Sequence, residues 1–131
     1  MGGRRRQRIV GVLFGCVGLL ICGIASFPSK AAQQVDGRAI FQKRCGGCHA
    51  LDRDKEGPRL GGVYGRKAGT IDSFQYSDAL KNSKVVWSDE TLERWLTNTE
   101  ALVPNNDMTF HVESAEERKA IIAYLKESSA K

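Results

Sequence analysis

Apolar residues recur with a helical period at three places between Ala32 and Lys131, and between those places the period disappears. Ile40, Phe41 and Cys45 fall near one face of a helix that Asp36 caps, starting near Gly37 and ending at about Cys45. A second stripe, Leu92, Trp95 and Leu96, follows Ser88 as N-cap and runs to about Asn98. Asp89 and Glu90 suit the helix dipole there, and Trp87 and Leu92 stand at the positions of a hydrophobic staple. Ser114-Ala115-Glu116-Glu117 has the pattern of a capping box. It opens a last helix whose stripe is Ile121, Ile122 and Leu125, with Tyr124 beside it.

The intervening stretches read as loop. Ala50 to Gly62 is polar and broken by Gly57, Pro58, Gly61 and Gly62. Val63 to Lys84 has neither helical nor strand period, which predicts an extended loop with one helical turn at Tyr76–Lys81. Glu100 to Glu113 predicts another loop. The expectation is an all-α domain. Loops this long in so small a domain need something beside them to fill the space.

Charge divides the chain further. The formal net charge is +5, and residues 1–31 hold Arg4, Arg5, Arg6, Arg8 and Lys30 with no acid, so the remainder has 15 basic and 15 acidic residues. A neutral remainder gives no basis for nucleic-acid binding. The arginines followed by the uncharged, mostly apolar Ile9–Ala25 resemble the n- and h-regions of an export signal. Ser29-Lys30-Ala31 offers small residues before a cut at Ala31/Ala32. The alternative is an uncleaved membrane anchor, for which this run is at the lower limit of length. In either case residues 32–131 form one domain on the outer side, in the periplasm or tethered to the inner membrane and facing it. Cys16 and Cys22 count as small apolar residues of the run.

Cys45-Gly46-Gly47-Cys48-His49 carries the chemistry. Two cysteines three positions apart share one side of a helical turn, so each thiol can reach one vinyl group of a single porphyrin. The adjacent histidine can then offer an imidazole nitrogen to the iron. The alternatives are a redox dithiol, which normally sits in a βαβ setting, and half of a zinc site, which needs more ligands than the chain supplies after His49. In Gly57-Pro58-Arg59-Leu60 a carbonyl beside the proline can accept the free Nδ1–H of His49 and orient its ring.

A second axial ligand is needed if the iron is closed. Apart from Met1, Met108 is the only methionine; it lies in a predicted loop on no apolar stripe. A thioether favours Fe(II) and raises the potential relative to imidazole, which suits an electron carrier. His111 is the competitor and is expected to be an exposed loop histidine.

This constellation resembles class I cytochrome c, the mitochondrial protein and its bacterial relatives, from about Asp36 to Lys126. Gly37 and Phe41, the Cys45–His49 motif, Gly57–Leu60, Gly65-Arg66-Lys67 with Gly69, and Phe74–Ala79 carry the likeness, together with Ile121–Leu125. The resemblance implies a small single-haem fold with crossing N- and C-terminal helices and long loops around the haem. It implies one haem c bound through Cys45 and Cys48 and ligated by His49 and Met108. Pro58 and Leu60 would support the proximal side. Arg66, Tyr76 and Trp87 would hydrogen-bond a buried propionate, and Phe110 would lie by the haem edge. Trp95 stands where the family usually has a tyrosine that hydrogen-bonds the methionine sulfur. Leu80 replaces a family asparagine, and Asn105 replaces the glycine after the proline. Glu100, Ala101 and Asp107 stand where mitochondrial proteins carry lysines. The implied function is one-electron transfer by a monomer between membrane redox complexes, without enzymatic activity, a small-molecule substrate or nucleic acid. A gas-binding or peroxidase-like protein with a labile Met108 is the rival.

Overall fold

The computed structural model describes residues 35–131; the expected export segment and the cleavage site at Ala31/Ala32 lie outside the described residues. Among the described residues five helices follow in chain order: α1 (Gly37–Arg44), α2 (Asp78–Asn82), α3 (Asp89–Thr97), α4 (Thr99–Leu102) and α5 (Ala115–Ser129). Among the described residues no helix is long and apolar enough to cross a membrane.

Helix α1 begins where Asp36 accepts from the Arg38 and Ala39 amides, and its mean hydropathy is low. It is kept by packing on α5 rather than by propensity, because eight residues are too few to be stable alone. Phe41 is 1% exposed and meets Tyr124 with ring centroids 5.3 Å apart. At the crossing Gly37 lies against the backbone carbonyl of Ala120, and an added Cβ would also come 3.1 Å from Tyr124 Cβ. A backbone atom cannot rotate away, so the helices would have to separate. Overpacking of this kind costs about 1–3 kcal/mol, which exceeds the roughly 1 kcal/mol that alanine gains over glycine within a helix. Gly37→Ala is therefore expected to lower the melting temperature of the holoprotein by about 5–10 °C. Thermal denaturation followed by circular dichroism checks this, and an unchanged midpoint would contradict a tight crossing.

Helix α3 starts at Ser88 as its sequence predicts, with a reciprocal box: Thr91 N donates to Ser88 Oγ at 3.3 Å and Ser88 N donates to Thr91 Oγ1 at 2.8 Å. The expected box at α5 is only half made. Glu117 N donates to Ser114 Oγ, but the Glu117 carboxylate turns to Arg44, with Nη2 at 2.8 Å. A charged partner from the end of α1 outcompetes the local backbone amide, and the pair links α1 to α5. Arg118, mostly buried, fastens α5 to α3 through Glu93 at 2.7 Å and donates to the carbonyls of Val112 and Glu113.

The loops depart from expectation in three places. The helical turn expected at Tyr76–Lys81 is α2, displaced to Asp78–Asn82 because Ser77 is its N-cap. The Val63–Lys84 segment is not wholly unpaired. Lys67 and Val86 form an isolated antiparallel bridge, flanked by Gly65 N donating to Trp87 O at 2.7 Å and Ala68 N to Val85 O at 2.9 Å. Glu100–Glu113 is not all loop, since α4 occupies Thr99–Leu102, with Asn98 closing α3 and capping α4 through Ala101 N. Asn105 has φ 62°, and Glu100 accepts from its amide at 3.0 Å. That left-handed backbone accounts for asparagine at a glycine position, since asparagine tolerates it better than most residues. Glu100 thus serves the loop that carries Met108.

Candidate haem site

Buried residues of α1, α3 and α5 and the loops between them form one core, yet the core is not solid. A cavity of about 520 Å³ opens within it, a size typical of sites for small molecules and cofactors. Leu92, Trp95 and Leu96 of α3 and Ile121 and Leu125 of α5 face it, so the stripes that define these helices are also its walls. Trp87 and Trp95 meet edge to face, with centroids 5.4 Å apart.

The eleven residues expected to hold or contact the haem line this one cavity: Cys45, Cys48 and His49 from the turn after α1; Pro58, Leu60, Arg66, Tyr76 and Trp87 from the loops; Trp95 from α3; and Met108 and Phe110 from the segment before α5. His111 is exposed, and its nearest acidic partner is Glu113 at 3.9 Å. Sequence reasoning did not place Leu92, Leu96, Ile121 and Leu125 at the site; their period marked them as core, and period alone does not separate core from cofactor wall. Lys55, which belongs to no motif, does not line the cavity but meets the attachment turn, with Nζ on the Gly46 and Gly47 carbonyls.

The turn continues directly from α1: Cys45 N donates to Phe41 O at 2.8 Å and His49 N to Cys45 O at 2.9 Å. Cys45 and Cys48 form no disulfide. Burial pushes the Cys45 thiol up to about 11, with Arg44 opposing and Cys48 adding. A dithiol oxidoreductase needs the opposite, a thiol lowered toward neutrality. Among the described residues no three His, Cys, Asp or Glu side chains gather as a zinc site would require.

His49 Nδ1 lies 2.8 Å from Pro58 O. A carbonyl only accepts, so Nδ1 carries the proton and Nε2 keeps its lone pair for a metal. The acceptor is thus the proline's own carbonyl. Burial is the main cause lowering the His49 pKa, the Pro58 bond opposes it, and Lys55 adds to the lowering; a neutral imidazole results. Gly57 lies so close to the ring that an added Cβ would come 2.6 Å from Nδ1 and 2.7 Å from Nε2. Met108 is placed through its backbone: its amide donates to Asn106 Oδ1 at 2.9 Å, and its carbonyl accepts from Thr99 Oγ1 at 2.6 Å.

The polar end of the cavity holds Arg66 and Tyr76. Arg66 donates to the carbonyls of Gly61 (2.9 Å) and Arg59 (3.1 Å). Burial pulls its pKa down and pushes that of Tyr76 up. A half-buried guanidinium held by carbonyls alone, in the wall of a cavity, favours an anionic group there. An apolar slot with two thiols, a neutral imidazole and a thioether on its wall and a cation at one end fits a haem with its propionates.

Comparison with known proteins agrees. The family model described as cytochrome c matches residues 34–129. Cytochrome c of Nigella damascena is 37% identical over 111 residues, spanning 81% of this chain and 100% of its own length. Cytochrome c of Chlamydomonas reinhardtii is 41% identical over 106 residues, spanning 78% of this chain and 95% of its own. Among solved structures, cytochrome cH from Methylobacterium extorquens superimposes with a TM-score of 0.67 at 35% identity, covering 72% of this chain and 97% of that one. The chain belongs to the cytochrome c family, with one covalently attached haem c for which Cys45 and Cys48 are the attachment pair.

Proposed function

We propose that this protein carries single electrons between membrane redox complexes of a respiratory or related chain, through a haem iron ligated by His49 and Met108. One observation carries the reading: His49, with Nε2 unprotonated, and Met108 line the same cavity as Cys45 and Cys48. A haem bound there supplies one-electron redox chemistry. The chain's own part is to hold it in an apolar, water-poor setting, to orient His49 through Pro58 and Gly57, and to offset its propionates with Arg66 and Tyr76. With His49 and Met108 both holding the iron, the group would supply electron transfer rather than oxygen or peroxide chemistry, which favours a carrier over an enzyme. The arginine-led apolar segment at residues 9–25 supports export, with the domain acting in the periplasm as a monomer, freed by cleavage or tethered.

Exposure of the reduced holoprotein to carbon monoxide at neutral pH tests this. The expected spectrum is unchanged, because the methionine holds the sixth position. Ready binding would favour a gas-binding or peroxidase-like protein.

A further inference from the structure

The Cys45–His49 turn is held from outside by a residue that belongs to no motif. Lys55 reaches back and donates from Nζ to the carbonyls of Gly46 at 2.6 Å and Gly47 at 2.7 Å. Two backbone bonds shut the same loop: Lys55 N donates to Gly57 O at 2.9 Å and Gly57 N to Cys48 O at 2.8 Å. The two carbonyls lie just past the C-terminal end of α1, where helical carbonyls lack partners and the dipole is negative. An ammonium is the side-chain group suited to that place. Among the described residues no carboxylate forms an ion pair with Lys55.

We propose that Lys55 is a positioning residue that clamps the haem-attachment turn and raises the reduction potential of the haem held there. The proposal rests on the electron-carrier reading. Oxidation would add one positive charge at the iron, and a cation held on the Gly46 and Gly47 carbonyls of the attachment turn would oppose it. Because Lys55 is exposed, water and salt screen much of this effect, so the expected contribution is moderate.

Three variants of the haem-loaded protein separate clamp from charge. Lys55→Met removes both, Lys55→Gln keeps a donor without charge, and Lys55→Arg keeps both. At low salt, Lys55→Met and Lys55→Gln are expected to raise the oxidised-to-reduced ratio about two- to threefold at a given potential. That is a midpoint roughly 20–30 mV lower at 59 mV per decade for one electron. The difference should shrink in 1 M salt, where the Debye length is about 3 Å. Amide exchange at Gly57 should quicken about tenfold in Lys55→Met and stay near wild type in the glutamine and arginine variants. A purely structural lysine would leave the potential of Lys55→Gln unmoved. Equal potentials across a haem-bearing set would overturn the electrostatic role, and unchanged exchange in Lys55→Met would overturn the clamp. A wild-type protein without covalent haem would overturn the carrier reading and this proposal with it.

Discussion

A haem-free chain carrying Cys45→Ser and Cys48→Ser is expected to lose its cooperative fold. The reason is where the cavity lies. Leu92, Trp95, Leu96, Ile121 and Leu125 are at once the buried faces of α3 and α5 and the walls of the site. At about 24 cal/mol per Å³, leaving 520 Å³ unfilled would cost up to roughly 12 kcal/mol, comparable with the whole stability of a small domain, about 5–15 kcal/mol. Collapse or entry of water reduces that ceiling, but either route gives up the native packing of the stripes. Helix α1, eight residues long, would then lose the partner that keeps it folded. The measurement is circular dichroism on the purified variant after removal of any loosely held haem. Near-UV signal and a sigmoidal melt should both be lost, with less than about half the helix content retained. A sharp thermal transition without haem would show that α1 and α5 pack independently of the cofactor.

Met108→Ala should produce the largest change in redox behaviour while sparing the fold. The loop around Met108 is fastened by groups the substitution keeps: its amide on Asn106, its carbonyl on Thr99, and Glu100 on the Asn105 amide. What disappears is the thioether. Its preference for Fe(II) disappears with it, so the potential should fall by at least about 100 mV, well within the roughly 0.8 V over which axial ligands set haem potentials. The reduced variant should also bind carbon monoxide, which the parent protein is expected to exclude. Redox titration and absorption spectra read both effects, and His111→Ala, at an exposed residue, serves as the control and should change neither. If Met108→Ala kept its potential and His111→Ala lost it, the sixth ligand would be histidine.

The attachment turn was legible because its chemistry is local. Two thiols and an imidazole must sit at fixed spacing, so Cys45, Cys48 and His49 announce themselves in five residues. The caps of α1 and α3 were legible for the same reason: Asp36 and Ser88 act on amides two or three positions away. Met108 stood out by elimination, as an unstriped methionine in a polar segment. The Glu116–Glu117 pair misled, because the capping box is a local pattern and Arg44, 73 positions distant in the chain, offers Glu117 a stronger partner. Likewise α4 is four residues long and the Lys67–Val86 bridge is a single pair, both too short to leave a period in the sequence.

By itself, then, the sequence determined the cofactor, its attachment and the three main helices, since spacing and periodicity are properties of neighbours along the chain. Only the tertiary structure decided which apolar residues wall the haem and which merely fill the core. It alone chose the proline's own carbonyl among those of Gly57–Leu60 as the acceptor for His49, and it alone placed Gly57 against that ring, the Ala120 carbonyl against Gly37, and Lys55 on the Gly46 and Gly47 carbonyls. Those are contacts made by backbone atoms, brought together by loop closure and by the crossing of α1 and α5. A peptide carbonyl is the same at every residue, so the order of side chains cannot say which one a distant group will meet.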